Sequence, residues 1–89
     1  METMVRDLGF IISALQDSQR VFLSYSEYRV DSVMVWGKYV LSPAIVKASH
    51  FTTLEEAIAA RTKHAEVFGD CKDVLIFKHE ETITLTEAV

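Results

Sequence analysis

Cys71 is the only cysteine among the 89 residues, so no disulfide can close within the chain. The framework of a small secreted disulfide scaffold is thereby excluded, and a reducing compartment, the cytoplasm, is expected. Glycine is scarce as well. Gly9, Gly37 and Gly69 are the only three, and none joins a strand to a helix N-terminus, where backbone N–H groups cradle phosphate. Nucleotide-dependent chemistry is not expected. Pro43 stands alone, and no linker, internal repeat or low-complexity tract is visible. Long apolar runs are missing too: Leu8 to Leu15 is interrupted by Ser13 and falls far short of the roughly 20 residues of a membrane span. Met1-Glu2-Thr3-Met4 carries an acid where a signal peptide carries bases, so neither leader nor span is expected.

Positive charge is in short supply, with 9 Lys and Arg against 13 Asp and Glu, a formal net charge of −4. The deficit is local. Residues 1–49 carry five acids and five bases, whereas residues 50–89 carry eight acids and four bases. A broad phosphate-binding surface needs a local excess of bases to gain from counterion release, and the C-terminal part has the reverse.

What is present is apolar. Hydrophobic residues make up 49% and charged residues 25%, the balance of a globular chain. The length suits one α+β domain over residues 1–89 with one core, because two cores would each be too small to fold alone. A domain of this size buries only about 60% of the surface of its unfolded chain, so a partner or a second copy, a homodimer, is expected to complete an exposed stripe.

Met4, Val5, Leu8, Ile11, Ile12 and Leu15 recur at spacings of three and four, which predicts an amphipathic helix ending at Asp17-Ser18-Gln19. The competing reading makes Leu8 to Ile12 a buried strand, since Gly9 weakens a helix by about 1 kcal/mol and β-branched residues follow. From Arg20 to Leu41 the composition turns to Val, Tyr, Phe, Trp and Ser, predicting two strands around a turn at Val30-Asp31-Ser32. Gly37 is a candidate bulge beside Trp36. After Pro43, Ala44 to Lys47 reads as a short edge strand.

Thr53 followed by Glu56 is a capping box, and Glu55 and Glu56 sit where the helix dipole favours acids. A helix is predicted from there through Phe68, with Leu54 and Phe68 as its larger contacts on an alanine face and Gly69 as its left-handed terminator. Val74 to Phe77, apolar on both faces, reads as a central strand. Thr82 to Thr86 alternates strictly, and Lys78 to Glu81 is either a turn or a solvated continuation. The expected fold is an α+β two-layer sandwich, order α-β-β-(β)-α-β, with a mostly antiparallel sheet and two helices on one face.

No reactive set converges. Cys71 follows a helix C-terminus and lies between Asp70 and Asp73, all of which disfavour a thiolate, so a Cys71 nucleophile with His64 or His79 as base is not expected. His50, His64, His79 and Cys71 lack the close spacing of metal-ligand pairs. Glu55-Glu56 is explained by the helix start, and Glu80-Glu81 by a solvated turn or strand end rather than a desolvated acid/base pair. No catalytic residue, cofactor or metal is expected.

The hairpin is richer in recognition chemistry. Tyr25, Tyr28, Trp36 and Tyr39, with Arg29, are residue types that concentrate at protein–protein hot spots. Aromatic pairs across strands also stabilise a sheet by themselves, and aromatics beside bases can stack nucleic-acid bases. The segment Phe51 to Ala57 resembles the strand-to-helix junction of a class of DNA-binding domains that pack a three-stranded sheet on one helix. The match spans about ten residues of mostly capping chemistry, and the basic sheet of that class is absent. In size and acidity the chain is similar to small inhibitor proteins that phages and mobile elements encode against host defence. The expected function is a non-enzymatic protein-binding regulator or inhibitor acting through Tyr25, Tyr28, Arg29, Trp36 and Tyr39. An acidic surface of Glu66, Asp70, Asp73, Glu80 and Glu81 meeting a basic protein is the other route. A nucleic-acid-binding accessory domain and a small enzyme are the alternatives.

Overall fold

The two tight turns of the molecule use the same dipeptide. Asp17-Ser18 holds φ at +50° and +66°, and Asp31-Ser32 at +50° and +67°, the two left-handed residues of a type I′ hairpin turn. Each joins neighbouring antiparallel strands. The computed structural model describes Met1–Val89 and contains β1 (Glu2–Gln16), β2 (Gln19–Val30), β3 (Val33–Ser42), a 3-10 turn (Ile45–Lys47), α1 (Leu54–Lys63), α2 (Ala65–Phe68) and β4 (Lys72–Leu85). The strands form one antiparallel sheet in the order β3-β2-β1-β4. The molecule is mostly sheet, with two helices.

The N-terminal segment is a strand, contrary to the helix expected from Met4 to Leu15 and in agreement with the competing strand reading of Leu8 to Ile12. Its three-and-four spacing has a different origin. The register with β4 slips between Asp7 and Gly9, leaving Leu8 as an extra residue on β1. Because side chains alternate, one extra residue moves the odd-numbered positions to the other face. Val5 and Ile12, seven apart, thus share a face, as they would on a helix. Gly9 is required at the bulge: its φ is +93°, and a Cβ there would lie 2.6 Å from the Phe51 carbonyl oxygen.

Beyond Gly9 the strand is central. Ile11, Ile12, Ser13 and Ala14 are all buried. Ser13 is tolerated because its hydroxyl donates to the Val21 carbonyl at 2.9 Å and accepts from Arg20 at 3.2 Å, so no polar group is stranded. The main core joins Ile12, Ala14, Val21 and Leu23 to Ala60 and Phe68 from the helical layer, and Ile11, Phe22 and Ala48 form a second cluster. Full burial of a side chain such as Phe68 contributes about 2–3 kcal/mol.

β1 and β2 pair only over Ser13 to Gln16 and Gln19 to Phe22, then separate. The chain leading to α1 fills the gap: Phe51 and Phe10 exchange two backbone bonds of 2.8 Å, and Ser49 N–H donates to the Leu23 carbonyl at 2.9 Å. Ser24 Oγ adds a 2.6 Å bond to the Lys47 carbonyl. Residues 45–47, expected as an edge strand, form a 3-10 turn after Pro43, whose missing N–H and fixed φ interrupt the ladder.

α1 starts at the expected cap, Thr53, but Glu56 reaches back one residue further than the capping box requires, to Thr52 rather than to the cap N–H. Thr53 Oγ1 accepts from Glu56 N–H, and Glu56 Oε2 accepts from Thr52 N–H, both at 3.2 Å. Ala57 and Ala60 form its buried face, whereas Leu54, expected as a packing contact, is exposed. The expected single helix is broken at His64, with φ −107° and ψ 25°, and resumes as α2 before Gly69 at φ +49°. Residues 78–81 continue β4 without a turn. Val74 to Phe77, expected in a central strand, lie in the edge strand β4. Its two faces explain the composition: Val74 and Ile76 pack on the main core, while Phe77 lies under the Arg20 guanidinium on the opposite face, 5.0 Å from ring centroid to Cζ.

Candidate interaction surface

The shape is more extended than the chain length requires. Its radius of gyration is 16.1 Å, against about 12 Å for a compact domain of this size, and its extents are 50 × 39 × 27 Å. Two ribbons cause this. Past Ser24, β2 is paired only with β3, and its six residues to Val30 reach about 20 Å. The first half of β1 pairs only with β4 among the strands.

Cross-strand register assigns the faces of the β2–β3 arm, because directly paired residues point the same way. Tyr28 pairs with Trp36 and Val30 with Val33, placing all four on one face. The Tyr28 and Trp36 rings stack at 6.2 Å, with Lys38 Nζ 5.2 Å from the Trp36 centroid. Trp36 is 44% exposed and Tyr28 51% exposed. No other element covers this strip.

The opposite face of the arm carries Tyr25, Tyr39 and Arg29. Tyr25 meets Tyr39 edge-on at 5.2 Å, and Tyr39 packs on His64 at 4.0 Å, tying the arm's base to the end of α1. A Cβ on Gly37 would lie 2.0 Å from the Tyr25 hydroxyl, so glycine leaves room for that ring. The register slips between Tyr28 and Arg29, with Val35 as the extra residue on β3, so the bulge adjoins Trp36 rather than sitting at Gly37. Arg29 Nε donates to Glu27 Oε1 at 2.8 Å. That bond holds the Glu27 carboxyl below its ordinary value and raises the guanidinium. The five expected hairpin residues are therefore divided: Tyr28 and Trp36 on one face, Tyr25, Arg29 and Tyr39 on the other.

The five acids are divided as well. Asp70 and Asp73 line an open hollow with Asp17 at the β1–β2 turn, and Glu66 lies on α2. Glu80 and Glu81 sit seven and eight residues further along β4, about 23 Å from Asp73, where Glu80 faces Lys78 at 3.4 Å and Glu81 pairs with Arg6.

Among the residues weighed for chemistry, one pair comes together that spacing in the chain did not reveal. His50 Nε2 and His79 Nδ1 lie 2.8 Å apart. The β1 bulge sets His79 opposite Gly9, and the Phe10–Phe51 bridge brings His50 alongside. Neither ring bonds Cys71, and His64 is engaged with Tyr39. Cys71 borders a hollow with Gln16, Asp17, Val67, Phe68, Gly69 and Asp70. No helix is long and apolar enough to cross a membrane. Comparison of the chain with protein-family models, curated proteins and solved structures finds no match.

Proposed function

We propose that this protein is a non-enzymatic protein-binding module, a small regulator or inhibitor, that docks through the Tyr28, Val30, Val33 and Trp36 face of its β2–β3 arm. The observation carrying this reading is the uncovered aromatic–aliphatic strip at the end of a ribbon that contributes little to the core. Exposed apolar patches on isolated domains are uncommon away from interaction sites, and Trp and Tyr concentrate at hot spots. The occupant is another protein or a second copy of this chain.

Affinity capture with the wild-type chain, Trp36→Ala and Val33→Asp, with sedimentation of the same samples, tests the proposal. Partner capture or self-association that both arm variants lose, and that Glu66→Gln keeps, supports it. Equal binding by all the proteins overturns it.

One observation favours a nucleic-acid reading: the stacked Tyr28–Trp36 pair lies beside Lys38, the chemistry of a base-stacking platform. That reading requires retention on single-stranded DNA or RNA that falls steeply with salt. Its failure at low salt removes it.

A further inference from the structure

We infer that His50 and His79 form a two-imidazole site for a borderline divalent transition ion, Zn2+ or Cu2+, between β4 and the segment preceding α1. The nitrogens His50 Nε2 and His79 Nδ1 face each other at 2.8 Å with the rings inclined by 21°. In that arrangement one ring donates its N–H to the bare nitrogen of the other. An ion takes a lone pair from both once the donor ring has passed its facing proton, through solvent, to its own other nitrogen, so that both imidazoles stay neutral.

Two imidazole nitrogens bound tetrahedrally at Zn–N distances of about 2.0–2.1 Å stand about 3.3 Å apart, so the nitrogens must open by about 0.5 Å. The ring centroids lie 5.1 Å apart, which sets the two nitrogens head-on, so each ring also swings by roughly 35° to aim its lone pair at the ion. His50 is exposed and His79 half-buried, which gives an ion a direct route from solvent. Imidazole pairs select ions of the zinc and copper class over Mg2+ or Ca2+, which prefer oxygen. Asp7 borders the same hollow as His50. Its Oδ1 accepts from Gly9 N–H at 2.8 Å and its Oδ2 lies 3.7 Å from Lys78 Nζ, so it adds negative charge near the site while remaining tied to the bulge. No group of three or more His, Cys, Asp or Glu residues converges. The ion therefore keeps open positions for water.

The backbone makes this pairing firm. His79 is fixed by β4 opposite Gly9, and His50 adjoins Phe51, which is bonded twice to Phe10. Binding cross-links two segments 29 residues apart in the chain, so it stabilises the fold.

Calorimetric titration of the full chain with ZnCl2 and, separately, CuCl2 is the test, accompanied by NMR of the imidazole resonances. The expected result is one ion per chain, with shifts confined to His50 and His79. His50→Ala and His79→Ala weaken binding at least tenfold, and His64→Ala leaves it unchanged. Wild-type melting temperature rises with the ion, and that rise disappears in His50→Ala. Absence of binding by the folded wild type, or equal binding by His50→Ala and wild type, overturns the inference.

Discussion

Phe10 and Phe51 exchange both of their backbone hydrogen bonds at 2.8 Å, and this one bridge holds the chain in the gap where β1 and β2 part. It positions Thr53 to start α1, brings His50 to His79, and leaves the β2–β3 ribbon without a neighbour on its inner edge. The core, the histidine pair and the exposed arm all follow from that placement.

Gly9 should be intolerant of any side chain. Gly9→Ala combines a left-handed backbone with a Cβ 2.6 Å from the Phe51 oxygen, and strain of this kind costs about 1–3 kcal/mol before the clash is counted. Urea unfolding should show a loss of about 2 kcal/mol or more. A variant within about 0.5 kcal/mol of wild type, the range of ordinary surface changes, contradicts the close approach.

The hairpin turns can be improved. Asp31 and Ser32 both occupy left-handed conformations, for which Asn-Gly is the best-suited pair. Asp31→Asn with Ser32→Gly should stabilise the arm by about 1 kcal/mol, seen as slower amide exchange from Tyr28 to Trp36. Unchanged or faster exchange would show that the turn is not of this type.

The helix cap is a separate measurable contribution. Thr53→Ala removes the acceptor for Glu56 N–H and should cost about 1 kcal/mol, whereas Thr53→Ser should cost little. Equal losses for the two variants would place the effect elsewhere than in the hydroxyl.

Glu27 offers a pH test of the face opposite Trp36. Its carboxyl is held below the ordinary value chiefly by the hydrogen bond from Arg29. A depressed carboxyl stabilises the folded arm at pH above its unfolded value, and that contribution disappears as pH falls through the folded one. The effect is small because both groups are solvent-exposed. NMR titration should place the Glu27 midpoint below that of the same residue in Arg29→Ala. Coincident midpoints would deny the pairing.

Part of this was legible in the sequence, and the parts that were not have identifiable reasons. Thr53 and Glu56 signal α1 because capping is local chemistry, and a turn at Val30-Asp31-Ser32 is legible because the flanking residues alternate, although Val30 itself closes β2, paired with Val33, and only Asp31 and Ser32 make the turn. β1 was disguised by its bulge: one extra residue at Leu8 turned a period of two into helix-like spacing. Val74 to Phe77 misled in another way, since apolar faces report what covers a strand from above and below, not whether another strand is bonded to its side. The two-face division of Tyr25, Tyr28, Arg29, Trp36 and Tyr39 depends on cross-strand register, and the bulge at Val35 is invisible in composition. His50 and His79 meet only through tertiary pairing, so no local motif announces them.

Trp36 is the only tryptophan, so its fluorescence reports on the proposed docking strip without labelling. In the free chain its emission should be that of a solvated indole, open to a neutral quencher. Within the complex formed with a captured partner, or within the self-associated form, the emission should move to shorter wavelength and the quencher should lose access. A stable complex in which emission and quenching stay as in the free chain would contradict the assignment of the β2–β3 arm as the binding surface.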